Sequence, residues 1–151
     1  MIDRNARNKL AEAMRALASG LITNDEFENN RLPHSIEDNA IFEVYSKGAW
    51  FLYSDLQEYR LAGDHRLEKE TKCAVARWIL FLKTDCPYEW PVPTRSQTML
   101  RLLANLFTLG IANRFFIRRF RAYGEADVWP FFRRADYEAA LQKPVYLNNA
   151  L

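Results

Sequence analysis

Residues 3–28, DRNARNKLAEAMRALASGLITNDEFE, decide the fold of this chain. Leu10, Met14 and Leu17 recur within them at intervals of three and four residues, which is the spacing of one helix face. Small and charged residues fill the positions between them, so the pattern is that of an amphipathic helix with one buried side. The sequence therefore predicts a first helix over about residues 3–19.

A turn and a second helix follow directly in the same stretch. Gly20 stands where a glycine commonly ends a helix. Thr23 and Glu26 have the spacing of a capping box, which predicts a short second helix with Phe27 as its core anchor. The stretch therefore predicts two helices joined by a tight turn.

The stretch from Leu10 to Leu32 also resembles the short bihelical motif of the SHOCT family. The resemblance rests on residues 17–28, LASGLITNDEFE, where a leucine-bearing helix, a glycine, Ile-Thr and an acidic segment with a phenylalanine follow each other. Family members usually continue with lysine and a leucine pair, whereas residues 30–33 here are Asn-Arg-Leu-Pro. The resemblance implies a helical hairpin that serves in oligomerisation or interaction and carries no catalytic residues.

Helical signals recur along the rest of the chain. Further helices are predicted at about 35–59, 67–83, 94–109, 112–123 and 131–142. Three prolines between 87 and 93 exclude a helix from residues 85–93. The sequence thus predicts an all-α fold. It would be a single domain over residues 1–151, a bundle of six or seven helices, with the Pro-rich ordered loop 85–93 as a possible subdomain boundary.

Two of these helices carry predictions about individual residues. The third helix is expected to continue through Gly48 as far as about Tyr59. In the last helix, Phe132, Ala135 and Ala139 fall on one stripe, which predicts that these three side chains face the core.

The composition is that of a packed, ordered protein of 151 residues. Hydrophobic residues make up 49% and aromatic residues 14%, with only five glycines and six prolines, so a disordered chain is excluded. Cys73 and Cys86 are too few for a disulfide framework, and the N-terminus lacks the apolar run of a signal peptide. We therefore expect a cytoplasmic protein.

Charge is distributed unevenly, and this is the strongest functional signal. Residues 93–123 contain six arginines and no acidic residue, whereas residues 1–75 carry ten Lys and Arg against thirteen Asp and Glu. We call residues 93–123 the basic tract. Its charge predicts an anionic partner. An acidic protein is the expected partner, an anionic membrane surface is the alternative, and a nucleic acid would need a larger positive excess. The predicted partner-binding residues are Arg101, Arg114, Arg118, Arg119 and Arg121.

The most apolar window of the chain, Met99 to Ile117, lies within the basic tract. Its charge-free part, Leu102 to Asn113, has 12 residues, against the roughly 20 that a spanning helix needs. The sequence therefore predicts a buried or interfacial helix and not a membrane span.

Residues suited to catalysis are scarce. The chain has two histidines, of which His65 could act as the base for a Cys86 nucleophile. His65 and Glu68 share a helix face, but a metal site needs three or four such ligands. The five glycines are dispersed, which excludes a phosphate-binding loop. We therefore predict no catalytic residues, no metal and no cofactor.

These patterns favour a binding function over an enzymatic one. The expectation is a non-catalytic protein-binding module, comparable in size and character to bacterial immunity proteins that neutralise toxins. The first alternative is a peripheral membrane protein that binds through residues 94–123. The second is a small enzyme around His65, Cys73 and Cys86. The sequence leaves the oligomeric state open.

Overall fold

A computed structural model of the protein describes residues 1–29, 38–91 and 123–144. Within these ranges the chain is helical and contains no β-strand, which confirms the predicted all-α class. The predicted helices at 94–109 and 112–123 lie, apart from Tyr123, outside the described residues. The described α-helices are α1 (Arg4–Ala18), α2 (Asn24–Asn29), α3 (Asn39–Lys47), α4 (Lys69–Lys83) and α5 (Arg134–Gln142).

The first helix ends as the sequence predicts. Gly20 adopts a φ of 70°, a left-handed conformation that favours glycine. Its N–H donates to the carbonyl of Leu17, and the N–H of Leu21 donates to the carbonyl of Ala16, both at 2.9 Å. This pair of hydrogen bonds is a Schellman motif, so Gly20 is confirmed as the C-terminal cap of α1.

The capping box of α2 is confirmed as well. The backbone N–H of Thr23 donates to Glu26 Oε2 at 2.8 Å, and the N–H of Glu26 donates to Thr23 Oγ1 at 3.1 Å. Phe27 is fully buried, as expected of the anchor of a short helix. The two helices and the turn between them therefore follow from local signals.

The third helix is shorter than predicted. Asp38 caps its N-terminus by accepting a hydrogen bond from the N–H of Ala40 at 3.1 Å, and α3 ends at Lys47. A 3₁₀ turn, Ala49–Leu52, follows. A Cβ on Gly48 would lie 2.6 Å from the carbonyl oxygen of Val44, so the chain passes this point too closely for a larger residue.

The predicted continuation to Tyr59 is wrong because Asn24 binds the backbone of that segment. The buried Asn24 side chain donates to the carbonyls of Ser54 at 3.1 Å and Gln57 at 2.9 Å. It also accepts a hydrogen bond from the N–H of Tyr59 at 2.8 Å. These backbone groups are satisfied by a residue about 30 positions away in the sequence, and a helix would need them for its own bonds.

The core lies between α1 and α4, which make the most extensive contact among the described helices. Their apolar faces meet along their length, and α2 and α3 close the core from the side of α1. Predicted core positions Leu10, Met14 and Leu17 are fully buried. Other fully buried apolar residues are Phe27, Ala40, Val44, Ala49, Phe81, Leu82 and Phe131.

A buried ion pair connects α1 to the start of α3. Arg7 Nε lies 2.6 Å from Asp38 Oδ2, and Arg7 Nη2 donates to Asp38 Oδ1 at 3.0 Å. Arg7 Nη1 donates to the carbonyl of Cys86 at 2.8 Å, and the guanidinium lies over the Phe81 ring, 5.2 Å from its centroid. One arginine therefore joins α1, α3, the end of α4 and the loop after it.

The Asp38 carboxylate should make the fold sensitive to acid. Burial by itself raises the pKa of Asp38, but the hydrogen bond and charge of Arg7 and the N–H groups of Asp3 and Ala40 lower it by more. Because the folded-state pKa lies below the unfolded one, this contribution to stability is present above the unfolded pKa of about 3.9. It is lost as the pH falls through the folded-state pKa.

We therefore expect the unfolding free energy to decrease on acidification, and to decrease less steeply in Asp38→Asn. Urea unfolding of both proteins from about pH 6 to about pH 2 measures the two slopes. Parallel curves would show that Asp38 is not among the groups that set the acid sensitivity.

A second set of polar contacts, formed by three side chains, connects α3 to Tyr88 and Trp129. The Trp129 indole N–H donates to Tyr88 Oη at 3.2 Å, and Tyr88 Oη lies 3.3 Å from Glu43 Oε2. Burial raises the pKa of Tyr88, and the Glu43 charge raises it further, so the phenol remains a proton donor to this carboxylate. Lys47 pairs with Glu43 from one turn along α3.

The C-terminal segment packs on α4 in a different register from the predicted one. Phe131 is fully buried, but Ala135 and Ala139 are exposed, so the predicted stripe is wrong in these two positions. The reason is that α5 starts only at Arg134, after a turn in which the N–H of Glu125 donates to the carbonyl of Phe132 at 3.1 Å. Phe132 therefore lies outside the helix and does not fix which of its residues face the core. Tyr137 and Ala140 pack against the core instead.

Candidate protein-interaction site

The predicted partner-binding residues lie outside the described part of the chain. These are Arg101, Arg114, Arg118, Arg119 and Arg121, all within residues 92–122. Their role stays a prediction. The described residues contain a different charged surface, formed by α2 and the loop that follows the 3₁₀ turn after α3.

Five exposed carboxylates define this surface, which we call the acidic face. None of them forms an ion pair within residues 1–29, 38–91 and 123–144, although other acidic residues in these ranges do. Negative charge therefore accumulates at one place, where a neighbouring cation is Arg60, whose backbone pairs with that of Thr23. The five residues are Asp25, Glu26, Glu28, Asp55 and Glu58.

Large apolar side chains close to these carboxylates in the sequence are open to solvent. Leu56 stands between Asp55 and Glu58, and Trp50 and Phe51 belong to the 3₁₀ turn just before them. Leu56 is 90% exposed, Phe51 is 76% exposed and Trp50 is 42% exposed. The Trp50 ring contacts Tyr45 and Tyr53 edge-on, with centroids 6.1 and 6.2 Å apart. Trp50 is thus fixed by the aromatic cluster beneath it, while Phe51 and Leu56 project from the surface.

Hydrogen bonds hold the two halves of the acidic face together. Asn24 on α2 binds the backbone of the loop at Ser54, Gln57 and Tyr59. Thr23 Oγ1 donates to Glu58 Oε1 at 2.8 Å. The face is therefore assembled on a fixed backbone, which lowers the entropy lost when a partner binds.

Two tyrosines beneath the face add no charge to it. Burial raises the pKa of Tyr45, and Glu28 raises it further. Burial likewise raises the pKa of Tyr53, with smaller contributions from Tyr45 and Glu28. Both phenols are therefore neutral at physiological pH and contribute no charge to the face.

Such a surface suits a partner that is both cationic and apolar. Exposed charges raise the encounter rate and select the sign of the partner. A central aromatic side chain among apolar neighbours is typical of the residues that contribute most binding energy in protein interfaces. This surface is not apparent from the sequence, because Asp25, Glu26 and Glu28 lie in a short helix whose capping already accounts for acidic residues.

His65 and Cys86 have different neighbours in the structure. The His65 ring lies against Tyr59, with centroids 4.5 Å apart. Cys86 lines a shallow pocket of about 110 Å³ with Phe81, Phe131 and other residues, and His65 does not line this pocket. Cys73 and Cys86 are both free thiols.

The described residues also bear on a metal site and on a membrane span. In the three described ranges, no group of three or more His, Cys, Asp and Glu side chains is placed to bind a metal ion. Each helix there is too short or too polar to cross a bilayer. The window Met99 to Ile117 lies outside these ranges.

Comparison of the chain with protein-family models, with curated proteins and with solved structures finds no match.

Proposed function

We propose that this chain is a non-catalytic protein-binding module. The observation that carries the proposal is the acidic face. Its five carboxylates form no ion pair within the described residues, and Leu56, which stands between Asp55 and Glu58 in the sequence, is 90% exposed. Covering an apolar side chain of this size with a partner contributes about 1.5–3 kcal/mol. An exposed apolar group within a charged rim is the arrangement that marks protein interaction sites.

The basic tract supplies the second binding surface of the proposed module. Arg114, Arg118 and Arg121 would form one stripe on a helix, with Arg101 and Arg119 nearby in sequence. An acidic protein is the partner that this charge favours. If that partner is a toxin, the chain is an immunity protein, which is the finer form of the proposal.

The proposal predicts that Arg114→Glu, Arg118→Glu and Arg121→Glu together abolish partner binding without unfolding the protein. Exposed charges contribute only about 0–1 kcal/mol each to folding, whereas they set the rate and salt dependence of association. Capture of partners from the native lysate by wild type and variant, identified by mass spectrometry, measures the effect. The variant should keep the wild-type melting temperature and lose the captured protein.

Lys143→Glu is the control for a charge reversal outside the basic tract, since Lys143 is exposed. It should leave capture unchanged. If the triple variant retains every wild-type interaction, the arginines serve only as a solvated surface.

A membrane surface is the alternative that the same tract favours, because its arginines alternate with Leu, Phe and Ile. Sedimentation with anionic vesicles separates the two functions. Binding to vesicles that depends on the three arginines, with no protein captured, would replace the proposed partner by a membrane.

A further inference from the structure

We propose that the acidic face binds the arginine segment 95–121 of a second copy of this chain, so that two copies form a reciprocal dimer. The inference rests on the proposed function, since it names the acidic partner of the arginines. Each copy would offer its acidic face to the other and receive the other's segment. Such an exchange creates two identical contacts related by a two-fold axis, which closes the assembly as a dimer.

Charge complementarity is the first argument. The acidic face carries five exposed carboxylates without an ion pair in the described ranges, and segment 95–121 carries six arginines and no acid. An arginine can bind a carboxylate through two parallel hydrogen bonds and can also stack on an aromatic ring. Trp50, which packs on Tyr45 and Tyr53, is 42% exposed. An arginine could therefore bind a carboxylate or stack on this indole.

Apolar complementarity is the second argument. Phe51 and Leu56 are among the most exposed large hydrophobic residues that the structure describes. Segment 95–121 is rich in Leu, Phe and Ile between its arginines. A basic peptide without apolar residues would leave Phe51 and Leu56 exposed to solvent. The apolar residues of this segment can cover them.

The exposure of the acidic face in a single chain favours a second copy over the same copy. Leu56 is 90% exposed, and the five carboxylates are exposed, in the structure of one chain. The face is therefore open to a segment from another copy. A segment of this length is also long enough to reach the face of its own copy, and a wild type that stays monomeric at every concentration would favour that contact instead.

Sedimentation velocity of the full chain across a range of concentrations tests the dimer. One variant reverses the face with Asp25→Lys, Glu28→Lys and Asp55→Lys, and leaves Glu26 and Glu58 in their bonds to Thr23. The other variant is the triple arginine reversal described above. Wild type should form a dimer that salt weakens, and each variant alone should be monomeric.

Mixing the two variants is the decisive step. The reversed face of one then meets the reversed segment of the other, and the two unaltered surfaces also meet, so the mixture should recover a dimer. As a charge control, Glu70→Lys with Glu138→Lys changes exposed acids outside the acidic face and should leave the dimer intact. A mixture that stays monomeric overturns the proposal.

Leu56→Ser tests the apolar contact independently of charge. Because Leu56 is almost fully exposed, the change should leave the melting temperature unaltered and weaken dimerisation by about tenfold or more. Leu141→Ser on α5 is the matched control, and should weaken nothing. This pair keeps the proposal testable if the lysine variants fail to fold.

The outcomes also separate this inference from the proposed function. A wild type that is monomeric at every concentration overturns the dimer, and so does a dimer that survives both charge reversals. If the protein is monomeric while the arginine variant still loses a captured partner, the inference fails and the proposed binding function stands.

Discussion

Arg7→Ala should destabilise the protein by about 3–5 kcal/mol, because it leaves the Asp38 carboxylate buried without its counter-ion. Both side chains are almost completely inaccessible to solvent, so water cannot replace the missing guanidinium. The change also removes the hydrogen bond to the Cys86 carbonyl and the contact with the Phe81 ring. For a chain of this length the melting temperature should fall by roughly 6–20 °C.

Thermal and urea unfolding of wild type and variant measure this effect. The matched control is Arg134→Ala, which removes an arginine that is half-exposed and pairs with Asp127 and Glu125 on the surface. Exposed pairs contribute about 0–1 kcal/mol, so the control should remain close to wild type. A loss below about 1 kcal/mol in Arg7→Ala would mean that Asp38 is stable without its partner and that the pair is not essential to the fold.

One signal in the sequence points to this pair. Arg7 falls on the same helical stripe as Leu10, Met14 and Leu17, so its Cβ faces the core although the residue is charged. Its partner cannot be found in the same way. Asp38 is 31 positions away, and pairing across that distance depends on how the helices pack.

The features of the fold that could be predicted are those encoded within a few residues. The Gly20 cap and the Thr23–Glu26 box each depend on contacts within one helical turn, and both are confirmed. The error at α3 has the opposite origin. The apolar spacing of residues 48–59 is compatible with a helix. The backbone of this segment is instead hydrogen-bonded to the side chain of Asn24, which is distant in the sequence.

The same distinction applies to the candidate site. Acidic residues on α2 are visible in the sequence, but their proximity to Asp55 and Leu56 exists only because Asn24 and Thr23 hold the loop against α2. Exposure of Leu56 could not be predicted either, since folded proteins bury most leucines but also carry apolar side chains on their surfaces. Sequence alone therefore indicated charge but could not indicate the composite surface.

Trp90→Ala should destabilise the protein by about 3–5 kcal/mol and release the C-terminal segment from α4. The indole is only 2% exposed, and its ring meets Phe132 edge-on with centroids 5.4 Å apart. Its N–H donates to two carbonyls, those of Pro130 and Phe131. Removing it leaves a large cavity and two buried acceptors without their donor, so both packing and hydrogen bonding are lost.

Two substitutions separate these contributions. Trp90→Phe keeps an aromatic ring but lacks the N–H, so it should cost about 1–3 kcal/mol. Trp50→Ala removes an indole that is 42% exposed and should cost less than Trp90→Ala, since less of its surface is buried. Hydrogen exchange followed by mass spectrometry locates the change: amides of residues 124–134 should exchange faster in Trp90→Ala, while those of α1 should change least. Equal acceleration throughout α1, α4 and residues 124–134 would contradict this, because Trp90 would then stabilise the whole core and not the attachment of one segment.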